Sequence, residues 1–178
     1  EICFVPDNDY RGFLTQSKLV GVDPGDFVDL QGKVLGRHDG VAFYTIGQRR
    51  GLGLSSPEPL YVLELDAKLN RVVVGPVDAL DKPSFIIDRC NWIPFEHLKE
   101  PIEVTAKIRY NHPGTLAVVT PLEGQRARVD LSVPQRAITP GQACVLYQDD
   151  LVVGGGWILK TCDPAPAEPV NVAQNASL

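Results

Sequence analysis

The sequence contains no methionine in 178 residues and opens on a glutamate, Glu1. A translated chain starts with methionine and ordinarily carries several more, so the expectation is a segment of something longer. No apolar run approaches the roughly 20 residues that cross a bilayer. Nor does a charged and then apolar leader mark a signal peptide. The cysteines, Cys3, Cys90, Cys144 and Cys162, are far apart and form no CxxC pair. That spacing argues against a zinc knuckle and against a compact disulfide framework, and reads as free thiols in a reducing, cytoplasmic setting. The histidines, His38, His97 and His112, show no HExxH-like pairing, so no metal site is expected.

What remains is ordinary globular material. Hydrophobic residues make up 44% and charged residues 22%, enough for a buried core without staples. The net charge of −5 speaks against nucleic acid, yet it averages over a pattern. Residues 1–30 carry −4, residues 31–53 carry +3 and residues 101–136 carry +2. Two basic stretches in an acidic chain can fold into one phosphate-facing surface. Solvated arginines and lysines are the simpler account on composition alone.

Helix signals are sparse. Asp9 can cap a short helix from about Tyr10 to Lys18, with Tyr10, Phe13 and Leu14 on one face; Gly12 weakens it. Asp23-Pro24-Gly25-Asp26 reads as a turn, and Val41 to Ile46 as a short helix or a strand. From Leu60 onward the pattern is that of strands. Residues 60–65 and 71–74 flank a hairpin turn, and further runs follow at 84–93, 102–110, 115–120, 126–133, 143–148 and 151–159. In the second of these, Val104, Ala106, Ile108 and Tyr110 alternate with Thr105, Lys107 and Arg109, which predicts one buried and one basic, wet face. Short antiparallel strands joined by Pro/Gly turns suggest a small barrel or sandwich. Gly154-Gly155-Gly156 reads as tight packing at a seam. The Pro-rich end from Cys162 reads as an unstructured tail.

The segment Tyr44-Thr45-Ile46-Gly47-Gln48-Arg49-Arg50-Gly51-Leu52-Gly53 is the densest in unusual residues. Its glycines permit close approach of a partner, and its paired arginines can fork onto phosphates. It is no Walker A loop, since no Gly-Lys-Ser/Thr follows, and a tight structural turn explains it equally well.

With His38-Asp39-Gly40, this segment resembles the hallmark stretch of the tRNA-specific 2-thiouridylases. Ile2-Cys3-Phe4, Pro24-Gly25, the spacing of Gly32, Gly36, His38 and Gly40, Lys107-Ile108-Arg109-Tyr110, Thr139-Pro140-Gly141-Gln142 and Gly154-Gly155-Gly156 match the same family in order. The resemblance implies a mainly β fold: a small α+β central domain over 1–80, an antiparallel β-barrel of about six strands over 81–161, and a flexible tail over 162–178. It also implies that an amino-terminal ATP-pyrophosphatase domain, with its Ser-Gly-Gly-x-Asp-Ser loop, is absent from this chain.

The activity implied is ATP-dependent replacement of the C2 oxygen of the wobble uridine by sulfur. ATP, with Mg, would belong to the missing domain, and no cofactor is expected in this chain. Cys3 is the implied catalytic residue, a persulfide carrier that later forms a disulfide with a cysteine of that domain. Apolar neighbours and Asp7 and Asp9 suit a thiolate poorly, so Cys3 is expected to react only when closed over by domain and tRNA. Arg109, Tyr110 and Gln142 map onto tRNA-binding positions, although Asn111 stands where many members have a base. Arg49 and Arg50 are read as tRNA contacts or as anchors between domains. The implied partners are tRNA and the sulfur-donor protein of a persulfide relay, with no membrane. The chain alone is expected to be inactive. The alternative is a non-catalytic RNA-binding β-barrel module. A methyltransferase is rejected, because no Gly-rich strand-to-helix turn for S-adenosylmethionine is visible. Cys90, Cys144 and Cys162 receive no role; the first two, in apparent strands, read as small buried or half-buried residues.

Overall fold

A computed structural model of the chain describes residues 9–16, 21–111 and 113–163. They form two compact units, one running to Lys82 and including Pro134–Thr139, the other comprising Pro83–Val133 and the chain from Pro140. In the first unit Asp9 caps helix α1 (Tyr10–Gln16), its Oδ1 accepting the Gly12 N–H at 2.9 Å. Helix propensity counts against Gly12, but a Cβ there would overlap the Asp9 carboxylate. The cap therefore favours glycine. Leu14 is buried and Phe13 is 40% exposed, so the apolar face is narrower than expected. The expected end at Lys18 lies outside the described residues.

Four strands follow: β1 (Gly25–Val28), β2 (Val34–His38), β3 (Tyr61–Asp66) and β4 (Arg71–Gly75). They form one sheet in the order β2-β1-β4-β3, parallel between β1 and β4 and antiparallel elsewhere. The β3–β4 hairpin is as expected, its turn held by Asp66 Oδ1, which accepts the N–H groups of Lys68 and Leu69 at 3.0 Å. The first two strands were not expected. The stretch read as a turn yields Gly25 and Asp26 to β1, because Asp26 to Val28 pair with Arg71 to Val73 far along the chain. Asp29 then closes the β1–β2 hairpin, its Oδ1 accepting from the Gln31 and Lys33 N–H groups at 2.9 Å. Val41–Phe43 is a single 3-10 turn and does not continue to Ile46. Phe27, Tyr44, Leu52, Val62, Val72 and Val74 fill the core.

The second unit is built on β5 (Asp81–Trp92), β6 (Ile102–Lys107), β7 (Thr115–Leu122), β8 (Arg126–Arg136), β9 (Ala143–Gln148) and β10 (Leu151–Cys162), which close into a barrel in the order β10-β5-β8-β7-β6-β9; the first two residues of β5 and the last three of β8 belong to the first unit. Alternation decides the interior: Val104 and Ala106, Ala117 and Val119, Ala127 and Val129, and Cys144 and Leu146 are buried. Cys90 is half-buried and Cys144 buried, as expected. The expected strand over 102–110 ends at Lys107. Ile108 still turns inward, but Tyr110 is 99% exposed, which corrects its placement on the buried face: the alternation stops where the pairing stops.

At the closure, Gly154, Gly155 and Gly156 of β10 lie between β5 and β9. A Cβ on Gly154 would stand 2.6 Å from the Asn91 carbonyl oxygen, and one on Gly156 2.7 Å from that of Asp88. These are backbone obstacles that cannot rotate away. Gly156→Ala should lower unfolding stability by about 1–3 kcal/mol through overpacking, read as a lower midpoint in urea. An unchanged midpoint would contradict the seam as described.

Candidate nucleic-acid interface

One concavity of about 620 Å³ on the barrel unit is lined by Lys107, Ile108, Arg109, Tyr110, Gly141, Gln142, Ala143, Val145, Tyr147 and Trp157. Its parts come from three places in sequence. After β6, buried Ile108 anchors the chain, so that Arg109 and Tyr110 emerge into solvent. Ahead of β9, the Gly141 N–H donates to the Ile158 carbonyl, and the Ile158 N–H to the Gln142 carbonyl, both at 2.8 Å. That pair fixes the backbone from which the exposed Gln142 side chain projects. Because Cys144 and Leu146 point inward, Ala143, Val145 and Tyr147 face out. Lys107 is paired with Val145 in the β6–β9 ladder, and its Nζ lies 5.0 Å from the Tyr147 ring centroid, a cation–π distance. Trp157 is 45% exposed. The structure thus brings Arg109, Tyr110 and Gln142 to one surface.

Not every base in the stretch 101–136 contributes charge there. The Nε of Arg128 donates to both oxygens of Asp130, at 2.9 and 2.8 Å, and the same carboxylate accepts the hydroxyl of buried Ser84 at 2.6 Å. The hydrogen bond that it donates to Asp130 raises the pKa of this guanidinium above its ordinary value. Arg136 pairs with Asp81 at 3.0 Å, and Arg126 donates to the Glu123 carbonyl at 3.1 Å. Lys107 and Arg109 are the bases of that stretch at the concavity.

In the first unit, the segment 44–53 is a zipped loop. The Gly47 N–H donates to the Val62 carbonyl and the Val62 N–H to the Gln48 carbonyl, at 2.8 and 2.9 Å. The Gln48 side chain accepts the Thr45 N–H and donates to the Arg50 carbonyl. Gly47, Gly51 and Gly53 have φ of 87°, 75° and 67°, left-handed values that explain the glycines of the motif. Arg49 and Arg50 are exposed on this loop, in a different unit from Arg109. His38 is buried, with its ring 5.4 Å from Phe27 and 5.6 Å from Tyr44 between centroids. Its Nδ1 accepts the Gly40 N–H at 3.0 Å, whereas Nε2 has no hydrogen-bond partner among the described residues. His38 is a packing residue. Burial holds its pKa below the ordinary 6.5, against the opposing pull of the Asn70 carbonyl and of Asp26 and Asp39.

Burial, helped by Asp88, pushes the Cys90 thiol up to about 11, and burial pushes Cys144 to about 12. Neither forms a thiolate readily. Cys3 lies outside the described residues. Among the described residues no cluster of His, Cys, Asp or Glu could hold a metal ion, and no helix is long and apolar enough to cross a membrane. Sequence reasoning missed Tyr147 and Trp157. For Tyr147 the signal was available, since the alternation along 143–148 puts it on the outer face.

The fold and this surface define a two-unit β protein whose barrel presents aromatic rings beside cations, the side-chain combination used to hold single-stranded nucleic acid. Two family models match the same two parts: a tRNA methyl transferase PRC-barrel domain over residues 12–76 and an aminomethyltransferase beta-barrel domain over residues 82–158. The chain is 49% identical over 160 residues to tRNA-specific 2-thiouridylase MnmA 1 of Clostridium botulinum (strain Loch Maree / Type A3), covering 90% of this chain and 45% of the relative. It is 49% identical over 165 residues to the MnmA of Heliobacterium modesticaldum, covering 92% and 43%. The corresponding protein of Pelotomaculum thermopropionicum is 47% identical over 163 residues, covering 92% and 44%. The chain belongs to the tRNA-specific 2-thiouridylase family, of which it carries the central and carboxy-terminal β portions. It spans less than half the length of these relatives.

The depressed His38 pKa has a consequence for stability. Protonation favours the unfolded chain, so the contribution of the neutral ring is complete above pH 6.5 and is lost as pH falls below it. Urea midpoints measured between pH 7.5 and 5 (approximate limits set by the titration range) should drop more for the wild type than for His38→Gln. Parallel profiles would contradict this.

Proposed function

We propose that the chain is the sulfur-carrying and tRNA-facing part of an enzyme that places sulfur on C2 of a uridine in tRNA. The observation that carries the reading is the convergence of Arg109, Tyr110 and Gln142 on one concavity, beside the Lys107–Tyr147 pair. Arg109 can grip a backbone phosphate, Tyr110 offers a fully exposed ring for a base, and Gln142 supplies both a donor and an acceptor. The names of the relatives, tRNA-specific 2-thiouridylases, support tRNA as the substrate and thiolation as the reaction. Exposed Arg49 and Arg50 offer a second phosphate contact, or a tie to another domain.

In the proposed reaction the C2 oxygen attacks the α-phosphorus of ATP, held with Mg elsewhere in the parent enzyme; the α–β phosphoanhydride bond breaks, pyrophosphate leaves, and the adenylated oxygen becomes a leaving group. The terminal sulfur of a Cys3 persulfide attacks C2, and AMP departs with the oxygen. A second cysteine then attacks the Cys3 sulfur, breaking the sulfur–sulfur bond. This leaves thiouridine and a disulfide that a thiol reductant must reopen. A donor protein recharges Cys3 with sulfur. Burial raises the pKa of Cys90, Cys144 and Cys162, so none of these three thiols ionises readily, and the role is assigned to Cys3 through the family resemblance of Ile2-Cys3-Phe4. The reading carries with it a cytoplasmic location, where tRNA is modified, and an inactive isolated chain.

In the full-length enzyme Cys3→Ser should abolish 2-thiouridine formation while leaving tRNA binding intact; retained thiolation would sink the persulfide role and leave an RNA-binding module. Arg109→Ala should weaken tRNA binding and reduce the slope of log K against log salt by about 0.7–0.9, the effect of one phosphate contact. An unchanged slope would remove Arg109 from the interface.

A further inference from the structure

A second concavity, of about 280 Å³, adjoins the first and shares Ala143, Val145 and Trp157 with it. Its floor is Gly154–Gly156, where the seam forbids side chains. Ile93, 65% exposed, and Val152, 39% exposed, line it together with Arg89 and Trp157. The ladder explains the opening: Lys107, Val145, Gly155 and Asn91 are successive register partners across β6, β9, β10 and β5. The row loses its side chain only at Gly155.

Arg89 stands there at a conformational cost. Gly155 pairs with Asn91 and Trp157 with Asp88, so β5 carries one extra residue, a bulge. Within it Arg89 has φ of 48°, a left-handed conformation that suits glycine, and sometimes Asn or Asp, but is unfavourable for a long side chain such as arginine. Bulges of this kind re-aim a side chain, and strain held by a non-glycine residue points to use of that side chain. The result is a guanidinium 5.5 Å from the Trp157 ring centroid, with Nε 3.5 Å from Asp88 Oδ1. With Nε turned to Asp88, the two Nη groups carry the donors that a phosphate would take.

We propose that this groove is a nucleotide subsite continuous with the tRNA interface: Arg89 takes a backbone phosphate, and the attached sugar and base lie over the glycine floor against Trp157 and Ile93. The inference rests on the tRNA reading above. Continuity with that surface, together with a fork donor beside an exposed indole, favours a nucleotide over a peptide as the occupant.

The test uses the 178-residue chain, unmodified tRNA and a salt titration. Arg89→Gly relieves the left-handed strain, so it should melt no lower than the wild type. It should nevertheless bind tRNA about tenfold more weakly, with the salt slope reduced by about 0.7–0.9. Trp157→Ala should weaken binding about fivefold or more with the slope unchanged, because stacking is not ionic. Wild-type affinity and slope in Arg89→Gly would overturn the subsite while leaving the Arg109 interface standing. So would loss of self-association in Arg89→Gly with tRNA affinity intact, which would assign the groove to a second copy of the chain. Failure of the wild-type chain to bind tRNA would remove the reading beneath this inference and the inference with it.

Discussion

At Gly154–Gly156 the backbone of β10 comes within side-chain distance of the carbonyls of β5 and β9, and the placement of the barrel surface depends on that approach. A strand carrying ordinary side chains there could not pair on both edges at this distance. With the seam closed, Gly141 and Gln142 are held to Ile158 by two hydrogen bonds, Trp157 emerges beside Ala143, and Val145 lines up with Lys107. Lys107, Gln142, Val145, Tyr147 and Trp157 are therefore held by hydrogen-bonded backbone, and Arg109 and Tyr110 follow directly on the last paired residue of β6. That is the kind of rigid support a recognition surface needs.

Charge follows the same logic at close range. An acidic chain binds a polyanion only if its cations are concentrated and its carboxylates engaged elsewhere. Here Asp130 is tied to Arg128 and Ser84, and Asp81 to Arg136. Lys107 and Arg109 stand at the concavity. Pairing of Lys107 and Arg89 with aromatic rings restricts two flexible side chains ahead of binding, which lowers the ordering cost of the complex.

Much of this was legible in sequence, for a physical reason. The strands from Leu60 onward alternate because one face is buried and the other wet, so their existence and order could be read, and the closed barrel is one of the two architectures their pattern allowed. β1 and β2 were not legible: they hold only four and five residues, and β1, which opens on Gly25, owes its place in the sheet to a parallel partner far along the chain. Within the surface, Arg109, Tyr110 and Gln142 could be named only through family resemblance, since alternation alone placed Tyr110 in the core. Arg89 could not have been found, because its position depends on a one-residue bulge that no periodicity announces.

The central claim is that the β6–β9–β10 side of the barrel, and not its other faces, meets tRNA. Ultraviolet crosslinking of unmodified tRNA to the full-length enzyme, with the attachment sites mapped by mass spectrometry, addresses it most directly. The account predicts crosslinks at Tyr110, Tyr147 and Trp157. Crosslinks confined to a different outer face, such as that of Leu116 and Val118 on β7, would contradict it.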